Sequence, residues 1–253
     1  GLISAQEIQN SSDVKNWINK ILKNKSYINW FTIGKTSLGR PIWVLDITKG
    51  PPTDKPLLLF FTRQHPPEVT GYFAFKSFIE ELISDSPIAK AFFKKYRVLA
   101  FPLINPDGVD LGHWRHNASG IDTNRDWGRY RQPEIKSIVK FIHKIKKKDN
   151  NKIVMGLDFH STYYDVFYTN VERESTPFPQ FLDQWFEGME KNIPNYKVNE
   201  KASNSTQPVS KGWLLYGNKA IGVTYEIGDE TPREKIDLIG KTSANILMKL
   251  LID

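Results

Sequence analysis

Two histidines and a glutamate, His65, Glu68 and His160, have the side-chain types and the placement to hold a divalent metal ion. His65 and Glu68 belong to His65-Pro66-Pro67-Glu68, which stands just beyond the apolar run 57–61, and His160 directly follows a second strand-like run, residues 153–159. In an open α/β sheet, ligands bind in the crevice outside the carboxyl ends of the strands, so both histidines could emerge on one rim. Two imidazoles and one carboxylate make a His₂Glu zinc set that leaves a coordination position open for water. A histidine at a strand end is as readily a solvated or capping residue, so the weight rests on the shared placement rather than on either residue alone. His113, His116 and His143 lack that placement, and His143 falls on the polar side of its helix. The chain has no cysteine, which excludes disulfides, thiolate metal sites and a cysteine nucleophile and leaves any metal to His, Asp and Glu. A second concentration of polar groups lies in the stretch 105–132, with Asn105, Asp107, His113, Arg115, His116, Asn117, Asp122, Asn124, Arg125 and Asp126. It reads as one long loop, and loops of this length in compact domains are usually functional or disordered; its tryptophans favour an ordered, packed one.

The elements that must position these groups follow from periodicity. Val14, Trp17, Ile18, Ile21 and Leu22 form one helical stripe, with Ser12 or Asp13 available as its cap. Residues 28–33 and 41–48, rich in aromatic and β-branched side chains around a turn at 34–40, predict an antiparallel pair at a sheet edge. The continuous apolar run 57–61 predicts a central strand covered on both faces. Helices are predicted over 68–83, 88–96, 133–147, 180–192 and 233–251, and further strands over 98–103, 153–159, 166–169 and 221–227, with a polar loop at 199–211. Strands alternating with helices predict a single α/β domain, residues 1–253, with a twisted, mostly parallel mixed β-sheet and helices on both faces.

Composition narrows the function classes. The chain has 253 residues and 35 Lys+Arg against 28 Asp+Glu, a net charge of +7. The basic residues are dispersed, with a single short run at Lys146-Lys147-Lys148, so no nucleic-acid partner is expected. No apolar stretch approaches the roughly 20 residues of a membrane span. The chain opens Gly1-Leu2-Ile3 without an initiating Met, which reads as a processed or trimmed terminus, and an extracytoplasmic location, periplasmic or secreted, is expected.

In their order along the chain, His65-Pro-Pro-Glu68, Asn105-Pro-Asp-Gly108, Trp114-Arg115, Gly120-Ile-Asp122-Thr-Asn124-Arg125-Asp-Trp127, Asp158-Phe-His160-Ser161 and Thr224-Tyr-Glu226 resemble the motifs of the zinc metallocarboxypeptidases typified by pancreatic carboxypeptidase A. The match covers about two-thirds of the chain. The His-Pro-Pro-Glu and Asn-Pro-Asp-Gly-Val forms lie closer to the compact bacterial and cytosolic-type branches than to the pancreatic enzymes. The resemblance implies one Zn²⁺ per chain, bound by His65, Glu68 and His160, with Glu226 as general base toward the attacking water. It implies Arg115 as the oxyanion-stabilising arginine, Asn124 and Arg125 as the grip on the substrate's terminal carboxylate, Asp122 as the acid that orients the first zinc histidine, and Ser161 as a pocket residue. The partner it implies is a peptide with a free C-terminal carboxylate.

Departures from the pancreatic pattern limit what carries over. Pro67 stands where those enzymes have an arginine, and the segment 202–211 contains no match for their mobile tyrosine; Tyr216 and Tyr225 read as core or strand residues. Lys211 lies near the position that faces the side chain of the substrate's last residue, so an acidic terminal residue is expected. Competing readings are an aspartoacylase-like deacylase of N-acyl amino acids, an amidase or carboxypeptidase of cell-wall peptides, and an inactive binding module. The last is disfavoured because all four metal and base positions are filled. The oligomeric state is not legible.

Overall fold

A computed structural model describes residues 6–252; the opening Gly1-Leu2-Ile3, which reads as a processed terminus, lies outside them. The apolar run expected at the centre forms β3 (Leu57–Thr62), and its alternation explains the layering. Leu58 and Phe60 point into one core and Leu57, Leu59 and Phe61 into the other, as the two-residue period of a strand requires. The first core is closed by α1 (Ser11–Ile21), α2 (Val69–Leu82), α3 (Pro87–Lys95), α6 (Phe181–Asn192) and α8 (Arg233–Ile252). The second is closed by α5 (Pro133–Asp149) and α7 (Ser210–Asn218), with Trp127 packed against Phe61 and Trp213.

The eight strands among the described residues form one sheet in the order β1-β2-β4-β3-β5-β8-β6-β7. β1 (Ile28–Lys35) and β2 (Pro41–Ile47) are the expected antiparallel edge. β4 (Arg97–Phe101), β3, β5 (Ile153–Thr162) and β8 (Ile221–Gly228) run parallel, while β6 (Val166–Thr169) is antiparallel to β8 and carries the short β7 (Glu200–Ala202) at its outer side. The sheet is α/β, mixed and mostly parallel, with helices on both faces, as expected. The chain leaves β3 toward β4 and returns on the other side as β5, which creates a switch point at the carboxyl ends of β3 and β5.

Local differences from the sequence reading have identifiable causes. Helix α1 is capped by Asn10, whose side chain accepts from the backbone of Ser12 and Asp13 while Asp13 returns the bond, so neither Ser12 nor Asp13 is the cap. The long loop contains α4 (Pro106–Leu111), capped by Asn105 and ended by Gly112 in the left-handed region, and a 3₁₀ turn at Thr123–Arg125 capped by Asp122. Of its tryptophans, Trp127 is buried as expected, whereas Trp114 is 81% exposed. Strand β5 continues through His160 to Thr162, and α7 begins at Ser210, inside the stretch read as loop.

Candidate active site

The chain leaves β3 through Arg63, in the left-handed region at φ 56°, and enters the Pro66-Pro67 turn before Glu68 starts α2. Two prolines fix φ and make this turn stiff, holding His65 and Glu68 at a set separation. The Glu68 carboxylate does not cap its own helix. It lies between two imidazoles, with Oε1 2.7 Å from Nδ1 of His65 and Oε2 2.6 Å from Nδ1 of His160. His160 reaches it from β5, where α2 approaches so closely that a Cβ on Gly71 would stand 2.2 Å from the His160 carbonyl oxygen. One donor atom from each of the three residues lies within 4.8 Å of the others, an arrangement that could hold a metal ion.

The surroundings fit such an ion. The outer Nε2 of His65 faces Oδ1 of Asp122 at 2.9 Å, and Nε2 of His160 faces Oδ2 of Asp158 at 2.9 Å. A carboxylate at Nε2 places the ring proton there, which leaves both Nδ1 lone pairs turned toward the Glu68 oxygens. Three acceptors then converge with no donor among them, and a divalent cation relieves that. Without one, the carboxylates hold protons on the rings: burial disfavours the charged form of His160, but Asp158 and Glu68 raise its pKa well above the ordinary value. Burial would likewise raise Asp122, yet His65, Arg115 and Arg125 hold it far below the usual carboxylate range.

The neighbouring strand brings the fourth group. In the parallel register, His160 pairs with Glu226, so the two side chains leave adjacent strands in one row. Oε2 of Glu226 is buried without a hydrogen-bond partner. Burial pushes the Glu226 pKa up to about 7, with His160 opposing the rise and Glu68 adding to it. Arg115 donates from Nε to Oδ2 of Asp122 at 2.8 Å and is otherwise half open to the cleft. Asn124 uses Oδ1 to accept from the backbone of Ser210, and Arg125 donates to the Asn124 carbonyl at 3.0 Å. Arg115, Asn124 and Arg125 share a cleft of about 360 Å³ with His65, Glu68, His160, Ser161, Lys211 and Glu226. The fold thus brings together every side chain singled out for the site except Asp122, which stands behind His65.

Two of the expected residues sit differently from the sequence reading. Lys211 is not a loop residue; it lies in the first turn of α7, only 4% exposed, with Nζ donating to the carbonyls of Thr169 at 2.7 Å and Ser203 at 2.6 Å. Ser161 lines the cleft, but its hydroxyl oxygen accepts from Thr70 and from the backbone of Gly71, which pins α2 to β5. Tyr225 is buried as expected, whereas Tyr216 is exposed on α7 and belongs to no core. Tyr168, Ser203, Ser205 and Thr224, to which sequence reading gave no role, also line the cleft. The register would have found Thr224, since it shares a face of β8 with Glu226. No helix among the described residues is long and apolar enough to cross a membrane.

Known proteins resemble the chain at each level. A family model described as zinc carboxypeptidase matches residues 14–244. Cytosolic carboxypeptidase 2 of Xenopus tropicalis is 27% identical over 179 residues, 67% of this chain and 18% of that protein. Cytosolic carboxypeptidase 6 of Mus musculus is 28% identical over 179 residues, 64% of this chain and 33% of that protein. The chain therefore spans a third or less of the length of these curated relatives. A metallo-carboxypeptidase from Burkholderia cenocepacia superposes with a TM-score of 0.83 at 18% identity, covering 98% of this chain and 70% of that one. A metallo-carboxypeptidase from Pseudomonas aeruginosa, in complex with (2-guanidinoethylmercapto)succinic acid, superposes at 0.77 with 19% identity over 98% of this chain and 70% of that one. At these identities the structural likeness establishes the fold, and the family model, which covers most of the sequence, establishes the membership. The chain belongs to the zinc carboxypeptidase family.

Proposed function

We propose that this protein is a zinc-dependent exopeptidase that removes C-terminal residues from peptides. The observation that carries the reading is the convergence of His65, Glu68 and His160 beside Glu226, in one cleft with Arg115, Asn124 and Arg125. His65, Glu68 and His160 would hold one Zn²⁺, which would supply Lewis acidity toward the scissile carbonyl and the attacking water. Glu226 accepts the proton of the attacking water and returns it to the leaving amine. Its unpartnered Oε2 and its raised pKa suit a base poised near neutrality. Arg115, anchored through Nε, keeps its terminal nitrogens for the developing oxyanion. Arg125 and the Nδ2 of Asn124 engage the substrate's terminal carboxylate, for which a planar guanidinium offers paired donors. Ser161 helps to form the wall between them.

The side chain of the departing residue meets Lys211. Tyr168, Ser203, Ser205 and Thr224 line the same cleft, and the buried ammonium of Lys211 has the carbonyls of Thr169 and Ser203 as its hydrogen-bond partners. A buried cation without a counter-charge is costly, so an acidic side chain is the favoured occupant.

Replacing the base separates chemistry from binding. Glu226→Gln should retain one equivalent of zinc while losing about 10²–10⁴-fold in kcat/KM. The wild-type rate should rise with pH as Glu226 deprotonates, because only the carboxylate can take the proton. A Glu226→Gln protein as active as the wild type would contradict the assignment. Hydrolysis of N-acyl amino acids with no peptide trimmed would replace the proposal with a deacylase.

A further inference from the structure

Successive side chains of a strand point to opposite faces, so Asp158, two residues before His160 on β5, shares its side of the sheet. Asp158 is completely buried, and a buried carboxylate persists only where partners replace water. Its partners all meet one oxygen. Oδ2 faces Nε2 of His160 at 2.9 Å, accepts from Nε2 of Gln64 at 2.5 Å and accepts from the hydroxyl of Ser210, while Oδ1 has no hydrogen-bond partner. Those partners are themselves fixed: Gln64 Oε1 accepts from Nε1 of Trp127 at 2.9 Å, and the backbone N–H of Ser210 donates to Asn124 at 3.0 Å. Ser210 opens α7, which lies so close to the sheet that a Cβ on Gly222 would stand 2.5 Å from the Lys211 carbonyl oxygen.

We infer that Asp158 is the positioning residue for His160 and that Ser210 extends its hold to α7, so that a metal ligand and the cleft wall bearing Lys211 are set by one carboxylate oxygen. The inference rests on the proposed role of His160 as a ligand. An acid at Nε2 keeps the ring proton there, leaves Nδ1 for the metal and raises the basicity of the imidazole. Asp122 serves His65 in the same way, but it also serves Arg115, whereas the partners of Asp158 are structural and lead to the helix. Small changes at the start of α7 are therefore felt at the metal, although α7 contributes no ligand.

The test is zinc affinity, read by competition with a chromophoric chelator, with the folding of each metal-free variant checked by its thermal melt. Asp158→Asn preserves shape but removes the charge and should bind zinc about 10–100-fold more weakly. Ser210→Ala should bind about tenfold more weakly, at the lower end of that range, and Ser210→Thr, which restores the hydroxyl, should recover most of the loss. In NMR spectra of the zinc-loaded protein, the Nε2 proton of His160 should exchange faster with solvent in Asp158→Asn and Ser210→Ala. Affinities within about twofold of the wild type for both folded variants, with an unchanged Nε2 proton, would overturn the inference and leave the metal site standing. A wild-type chain that binds no zinc would overturn it together with the proposed function. Should Asp158→Asn fail to fold, the Ser210→Ala and Ser210→Thr pair decides alone.

Discussion

Lys211 shows how much a single side chain's surroundings add to its sequence position. A lysine among polar residues reads as solvated, yet here the ammonium is enclosed at the start of a helix and hydrogen-bonded to two carbonyls. Desolvation by burial pulls its pKa down to about 8. The charged form that would pair with an acidic substrate side chain therefore prevails below that pH and is lost as pH rises through it. On this account a peptide ending in glutamate is cleaved in preference to one ending in leucine, and its KM rises above pH 8 while the KM of the leucine peptide does not. Lys211→Met should abolish the preference, lowering kcat/KM for the glutamate peptide by about 10–200-fold, the range one pocket contact commands, with little change for the leucine peptide. Faster cleavage of the leucine peptide by the wild type would refute the role of Lys211. Glu226 illustrates the converse: its type and motif were legible, but the buried, unpartnered oxygen that suits it to proton transfer depends on the register of β5 with β8.

Elements, rather than residues, decide whether the ligands meet. Helix α2 carries Glu68 at its start and can reach His160 only because Gly71 lets it lie directly on β5. Gly71→Ala places a methyl against backbone that cannot move aside, so it should destabilise the protein by about 1–3 kcal/mol and weaken zinc binding at the same time. Chemical denaturation with and without zinc checks both effects; a variant with unchanged stability would mean that the two elements are less tightly apposed. The long elements were legible because each buries a stripe with its own period: residues 57–61 as a two-faced strand, and Ile135, Ile138, Val139, Ile142 and Ile145 as the inner side of α5. Short elements held by other forces were not. β7 is three mostly exposed residues held by pairing with β6, and α7 starts with Ser210 and Lys211, polar residues buried for the sake of Asp158 and the cleft. α4 is marked only by its ends, since Asn105 caps it, Pro106 stands in its first turn and Gly112 stops it, and its six residues carry no apolar stripe. Asp158 was legible as part of a motif, but its contact with Ser210, far along the chain, could come only from the fold.

At the scale of the molecule, one eight-stranded sheet gathers residues from across the sequence onto a single rim. His65 follows β3, His160 lies on β5 and Glu226 on β8, three parallel neighbours whose carboxyl ends face the same way. The antiparallel edges, β1-β2 on one side and β6 on the other, widen this frame, and β6 supplies Tyr168 to the cleft. The central claim, that this rim trims peptides from their carboxyl end through a metal-assisted reaction, is tested most directly by digesting a mixed peptide library with free and amidated C-termini. Mass spectrometry over time, with zinc and with a chelator, reads the outcome. The account predicts stepwise loss of C-terminal residues, acidic ones first, from peptides with free carboxylates only, and none with chelator present. Internal cleavage, equal attack on amidated peptides or trimming that survives chelation would contradict it.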